Sequence, residues 1–252
     1  DMVSMPARRL ARLLSGLGPG NGKDEALALS LLEDWDGALE SESAAAVLFE
    51  LWWMRQVRPR LIARLSPDAV VAKLLLPGDV ESLLGALEHP DARFGADPVA
   101  ARDALLREGL AAAVAECRTR FGDAPSGWSW GALHHGYFEH ALSNLAATPH
   151  LPADVGRFPM GGSGSTPMHT GYRLSDFRVT HGASVRLVMD VGEWDNSMCI
   201  NAPGQSGDPR SPHYGDLAPL WSKGEYVPLL YSRARIEPEI MERIELLPGA
   251  GR

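Results

Sequence analysis

Cysteine is scarce in this 252-residue chain, which contains only Cys117 and Cys199. Two cysteines exclude a disulfide-dense scaffold and a zinc site built from cysteine ligands. Long hydrophobic runs are also lacking, since no stretch approaches the roughly 20 apolar residues that a membrane-spanning helix needs. The 24 basic residues are outnumbered by 32 acidic ones, and the net charge of −8 argues against nucleic acid or an anionic membrane as a partner.

Helix-start residues recur through the first 150 residues, where apolar side chains repeat at helical spacing. A polar side chain that precedes such a repeat can cap the helix by accepting a hydrogen bond from a first-turn backbone N–H. We expect caps at five places, namely Ser4, Ser41 or Ser43, Ser66, Asp79 and Asp97. The pattern predicts a mainly helical region over residues 1–150.

The periodicity changes in the rest of the chain. Apolar and polar residues alternate over residues 184–191, which predicts a strand with a covered face formed by Val185, Leu187, Met189 and Val191. Residues 192–196 are typical of a hairpin loop, residues 197–201 of the returning strand, and residues 172–179 of a further strand. Arg186 and Asp190 share the polar face, where we expect a cross-strand salt bridge. Residues 151–252 are therefore predicted to be β-rich.

A dense polar loop follows the apolar residues 198–200. It is rich in Gly and Pro, so it is neither a helix nor the interior of a sheet, and such loops often carry function. Its distinctive residues are Gly204, Gln205, Ser206 and Gly207, followed by Ser211, Pro212, His213, Tyr214 and Asp216.

These residues resemble the penicillin acylases, a branch of the N-terminal nucleophile hydrolases. That family carries a Gly-Gln-Ser-Gly loop, then Ser-Pro-His-Tyr-x-Asp, then Trp-x-x-Gly-x-Tyr-x-Pro-Leu, and the third motif lies here at residues 221–229. The family's Leu-x-x-Trp-Asp-Gly occurs at residues 32–37, its Ser-x-Ala-Ala at residues 43–46, and its Trp-Gly-x-x-His at residues 130–134.

The resemblance implies an α+β fold that is part of a four-layer αββα sandwich. It also implies a self-cleaving precursor, whose exposed β-chain Ser attacks an amide with its own α-amino group as the base. Neither that Ser nor the oxyanion-binding Asn is expected within this chain, which we interpret as the C-terminal part of the β-chain. The expected partners are the α-chain, the N-terminal part of the β-chain and a small amide substrate.

The family acts on β-lactam side-chain amides, glutaryl or adipyl cephalosporins and acyl-homoserine lactones, and this sequence does not separate them. No cofactor is implied. Some members bind a structural calcium ion, for which no matching ligand cluster is visible here. The resemblance implies a periplasmic or secreted location.

A glycine-rich segment at residues 161–164 leads into the β-rich region. The resemblance places Ser163, Ser165 and Thr166 at the edge of the active site. The segment itself could form an anion-binding nest of backbone N–H groups or a flexible loop.

Two sets of side chains admit more than one interpretation. Ser206, His213 and Asp216 are the residue types of a serine triad. Triad members usually come from separate segments, so we prefer turn residues with local hydrogen bonds, with Asp216 capping the helix that follows. A self-contained serine hydrolase and a non-catalytic module of the same fold are thus rival hypotheses. His134, His135 and His140 are structural or metal-binding, although they lack the i, i+4 spacing of a helical zinc site.

Overall fold

The computed structural model describes residues 2–66, 68–76, 78–141, 143 and 154–247. They form two compact units, one that ends at Ala183 and one that begins at Ser184. The predicted change from a helical to a β-rich region after residue 150 and this boundary are therefore different features of the chain. No helix of the described part is long and apolar enough to cross a membrane.

Helices build most of the first unit. Their bounds are α1 Met5–Ser15, α2 Lys23–Leu32, α3 Ala44–Glu50, α4 Arg58–Leu65, α5 Ala69–Leu75, α6 Val80–Glu88, α7 Pro98–Phe121 and α8 Trp130–Leu133. A π-helical segment, Leu51–Val57, joins α3 to α4 without a break. Two-stranded antiparallel sheets complete the unit, formed by β1 His135–Phe138 with β2 Val155–Pro159 and by β3 Thr170–Tyr172 with β4 Val179–Gly182.

Four of the predicted caps are confirmed. Ser4, Ser43, Asp79 and Asp97 each accept a hydrogen bond from a backbone N–H two or three positions inside the helix that follows. The prediction at Ser66 is wrong, because Ser66 ends α4 and Asp68 caps α5 instead. The Asp68 carboxylate accepts from two backbone N–H groups at once, those of Val70 and Val71.

The core of the first unit lies where the 24-residue α7 packs on the π-helical segment and on α2. Trp52 is fully buried there, and its indole Nε1 donates to the Leu106 carbonyl at 3.1 Å. The contact needs a glycine at position 109, because a Cβ atom on Gly109 would lie 2.9 Å from that nitrogen. Cys117 also lies fully buried in this core.

The second unit has a three-stranded antiparallel sheet and two short helices. The strands are β5 Val185–Val188, β6 Met198–Asn201 and β7 Val227–Pro228, in the order β5-β6-β7. The helices are α9 Ala218–Lys223 and α10 Arg233–Ile236. Val185 pairs with Asn201, so the predicted hairpin and its returning strand are confirmed.

The described part of this chain does not provide the predicted burial of β5. Val185, Leu187, Met189 and Val191 are all at least half exposed within the described part of the chain. The polar face is the covered one, since the Arg186 guanidinium lies over the rings of Trp221 and Tyr226, at 5.3 and 5.9 Å from their centroids.

Two further predictions for this region need correction. The carboxylate of Asp190 accepts from the backbone N–H groups of Gly192 and Glu193, at 2.9 and 3.0 Å, and not from Arg186. The strand expected over residues 172–179 is instead the end of β3, a turn and the start of β4. Asp176 stabilises that turn by accepting from the side chain of Arg173 and the backbone of Arg178.

Candidate functional site

A buried carboxyl group marks the most unusual position of the first unit. Glu50 ends the apolar helix α3 and has only 3% of its surface exposed. The Tyr172 hydroxyl donates to Glu50 Oε2 at 2.5 Å, and Ser163 forms a second side-chain hydrogen bond with the carboxyl group. Burial raises the pKa of Glu50 to about 7, against the lowering effect of these hydrogen bonds and of Arg58.

A buried guanidinium comes directly after the π-helical segment in the sequence. Arg58 is 5% exposed, and it lies over the Trp53 ring with 5.2 Å between its Cζ and the ring centroid. Its Nη2 donates to the Gly78 carbonyl at 2.9 Å, and its Nη1 approaches the Met54 sulfur at 2.9 Å. Its Nε has no hydrogen-bond partner in the described part of the protein. Burial lowers the pKa of Arg58, because the charged form loses hydration.

Both charged residues line one cavity of about 200 Å³. The wall also includes Ser163, Tyr172 and His181. The π-helical segment lies between Glu50 and Arg58 in the sequence. Such segments are frequent at functional sites. We therefore take this cavity, named here the Glu50–Arg58 cavity, as the candidate site of the first unit.

The three residues predicted at an active-site edge lie at or beside this cavity. Ser163 and Ser165 line it. Thr166 instead stabilises the loop, because its hydroxyl accepts the Ser163 N–H at 3.0 Å and lies 2.9 Å from the Met168 carbonyl oxygen. Their place relative to a catalytic centre remains a prediction.

The glycine-rich segment is a closed turn rather than an open nest. The N–H groups of Gly162, Ser163 and Ser165 already donate to Leu39, Thr166 and Ser163. Those three donors are thus engaged within the protein and do not point at an anion.

Sequence reasoning missed Glu50, Arg58 and Tyr172. The available signal was a single Glu between Phe49 and Leu51 in an otherwise apolar helix. A lone carboxylate in such a run is rarely left without a partner when it is buried.

Two of the three histidines have structural surroundings. His134 is buried with its ring stacked on Trp130 at 4.7 Å, and both ring nitrogens face backbone carbonyls, those of Met160 and Thr170. Burial lowers the pKa of His134 to about 4, although both carbonyl contacts favour the protonated ring. His135 bonds to its neighbour Leu133. Among the described residues, no three His, Cys, Asp or Glu side chains form a group able to hold a metal ion.

The loop of residues 204–216 lies in the second unit and closes on itself. The N–H groups of Gln205 and Ser206 both donate to the His213 carbonyl, at 2.8 and 3.0 Å. The Ser206 hydroxyl accepts the N–H of Asp208, and no hydrogen bond between that hydroxyl and the His213 ring occurs among the described residues. The three triad-type residues thus lie in one loop, with the serine hydroxyl engaged in a local turn.

The predicted capping role of Asp216 is wrong. Helix α9 begins after Leu217 and has no side-chain cap. The Asp216 carboxylate instead lies 2.8 Å from His213 Nδ1, and both side chains are substantially exposed. The Asp216 carboxylate therefore contacts the imidazole three residues earlier in the sequence and not the first backbone N–H groups of α9.

Closure of this loop requires a glycine at position 204. A Cβ atom there would lie 2.4 Å from the His213 carbonyl oxygen and 2.6 Å from that of Tyr214. Gly204→Ala is therefore expected to lower stability by about 1–3 kcal/mol, as overpacking does. Gly207→Ala is the matched control, because its Cβ would meet no atom within 4 Å. Equal melting temperatures for the two variants of the protein that carries this chain would contradict the expectation.

Comparison with known proteins agrees with the sequence resemblance. The family model described as penicillin amidase matches residues 1–238. Penicillin acylase 2 proenzyme of Pseudomonas sp. strain SE83 is 34% identical over 99% of this chain and 32% of its own length. Acyl-homoserine lactone acylase QuiP of Pseudomonas aeruginosa strain PAO1 is 29% identical over 86% of this chain and 28% of its own length. The chain therefore spans about a third of the curated relatives that it matches.

A solved structure supports the fold. A thermostable penicillin G acylase from Alcaligenes faecalis aligns with 100% of this chain and 48% of its own, with a TM-score of 0.58 at 19% identity. The predicted α+β class is thereby confirmed. Because the family model matches nearly the whole sequence, this chain belongs to the penicillin amidase family.

Proposed function

We propose that this chain is the C-terminal part of the β-chain of an amidohydrolase that cleaves linear amide bonds through an acyl-enzyme. The observation that carries the proposal is the penicillin amidase match over residues 1–238. Two kinds of acylase occur among the relatives, and their names refer to penicillin and to acyl-homoserine lactones. Both support the same reaction class. The substrate would be a β-lactam side-chain amide or another N-acyl compound.

In the proposed reaction, an N-terminal Ser outside this chain attacks the amide carbonyl carbon. Its α-amino group takes the hydroxyl proton, and backbone and Asn donors stabilise the negative oxygen of the tetrahedral intermediate. The C–N bond then breaks, the amine leaves with a proton, and water hydrolyses the ester that remains on the Ser.

The second unit supports a role within a larger assembly. Strand β5 is an edge strand with exposed apolar side chains, and such edges are usually paired or covered in native proteins. The relatives are about three times as long as this chain. We infer that the α-chain and the remaining part of the β-chain cover this face.

The test uses the natural protein in which this chain lies. Its hydrolysis of a phenylacetyl anilide and of an N-acyl-homoserine lactone is measured, and acid-quenched samples are analysed by mass spectrometry for an acyl group on an N-terminal Ser. Hydrolysis of either amide with that adduct supports the proposal. Hydrolysis that continues after the N-terminal Ser is replaced by Ala, or inactivity on linear amides in general, would contradict it.

His213→Ala separates the proposal from a self-contained serine hydrolase. We expect less than a tenfold change in turnover and a loss of at most about 1 kcal/mol, because exposed ion pairs contribute little. Arg210→Ala, which breaks the exposed Arg210–Asp208 pair of the same loop, is the matched control. A fall of a hundredfold or more at unchanged melting temperature would instead assign His213 a role in proton transfer.

A further inference from the structure

We propose that the Glu50–Arg58 cavity binds a small carboxylate anion such as acetate, with the carboxylate oxygens on the Arg58 guanidinium. The proposal concerns binding by this cavity and does not depend on amide hydrolysis by the whole protein.

The first argument is that Arg58 is a buried cation with too few acceptors. Among the described residues, its one oxygen acceptor is the Gly78 carbonyl, and its other partner is the thioether sulfur of Met54, a weak acceptor. Its Nε has no partner among the described residues and is buried out of reach of a ligand. A buried charge in this state is costly, and an anion that accepts from a terminal nitrogen of the guanidinium would reduce the cost.

The second argument is that Glu50 does not supply that anion. Its carboxyl group is held by Tyr172 and Ser163. Its effect on Arg58 is through-space attraction, and no ion pair joins the two among the described residues. The cavity thus has a carboxyl group and a guanidinium on its wall that do not neutralise each other by contact.

The third argument concerns the size and chemistry of the ligand. The volume of the cavity, about 200 Å³, is several times the ~30 Å³ that one water molecule occupies in the liquid. Phe49, Trp53 and Met54 also line it, so it has an apolar surface for an alkyl group. A guanidinium matches the planar geometry of a carboxylate, and a short monocarboxylate combines that group with a small apolar end.

Binding should depend on pH through Glu50. This group loses its proton near pH 7, so its negative charge appears beside the anion as the pH rises and weakens binding. Arg58, Tyr172 and Ser163 are the groups that act directly on Glu50, Asp79 acts on Arg58 through space, and His181 lies in the wall. Because the wall contains a second titratable side chain, the contribution of Glu50 is isolated by mutation.

The experiment measures acetate binding to the natural protein by saturation-transfer NMR on the acetate methyl group, at pH 6 and pH 8, with chloride keeping the ionic strength constant. We expect binding at pH 6 that is at least tenfold tighter than at pH 8. Arg58→Gln should weaken binding at pH 6 by at least tenfold. Arg64→Gln is the matched control, because this guanidinium also lies over a ring, that of Phe94, and bonds to a carbonyl, but is outside the cavity wall.

Glu50→Gln should bind acetate with nearly equal affinity at both pH values. Absence of binding at pH 6, or equal affinity in the wild type and Arg58→Gln, would refute the proposal. Should Arg58→Gln fail to fold, the wild type and Glu50→Gln decide alone. A pH dependence that is missing in the wild type, or that persists unchanged in Glu50→Gln, would also refute it.

Discussion

Glu50→Gln is expected to gain stability relative to the wild type as the pH rises from 4.5 to above 7. The carboxyl group has an ordinary pKa of 4.5 in the unfolded chain and a pKa of about 7 in the fold. Between these values the unfolded chain releases the proton while the folded protein keeps it, so the wild type loses stability as the pH rises. The difference between the two pKa values corresponds to a loss of roughly 3 kcal/mol in the free energy of unfolding.

Glutamine cannot ionise, and its side-chain oxygen can still accept from the Tyr172 hydroxyl. Chemical unfolding of the natural protein at pH 5, 6, 7 and 8 measures the difference between variant and wild type. Glu33→Gln is the control, because Glu33 is exposed and its replacement should give a nearly constant difference. A constant difference for Glu50→Gln as well would mean that Glu50 ionises as it does in water.

Trp130→Ala is expected to destabilise the protein by about 3–5 kcal/mol, the usual loss for a fully buried aromatic residue. Trp130 stacks on His134 and meets Tyr172 and Phe177 edge to face, at 5.3 and 6.0 Å between ring centroids. Its Nε1 donates to the Gly162 carbonyl at 2.9 Å. The side chain therefore joins α8 to β3 and to the glycine-rich turn that leads to Ser163.

Trp130→Phe distinguishes the contribution of the aromatic contacts to stability from that of the Nε1 hydrogen bond. It keeps most of the aromatic contact and leaves the Gly162 carbonyl without its donor, which should cost about 1–3 kcal/mol. Trp194→Ala serves as a surface control, since Trp194 is 43% exposed and its loss should change stability by less than about 1 kcal/mol. An equal loss for Trp130→Ala and Trp194→Ala would contradict the central position of Trp130.

The helix caps at Ser4, Ser43, Asp79 and Asp97 were predictable because a cap depends on one side chain and the backbone within three residues of it. The β5–β6 hairpin was predictable because its two strands follow each other in the sequence and are joined by a short loop. The family followed from motifs read in order along the chain, and the comparisons confirmed it. All of these depend on residues that are close together in the sequence.

Tertiary structure alone decided which charges are buried. Alternation along β5 showed that two faces differ, but Trp221 and Tyr226, more than 30 residues away in sequence, cover the Arg186 side and leave the apolar side exposed. Glu50 meets Tyr172 across 122 positions in the sequence. Burial, and the pKa changes that follow from it, arise from such distant contacts, so the candidate cavity became visible only when the helices and the β3–β4 hairpin were placed together.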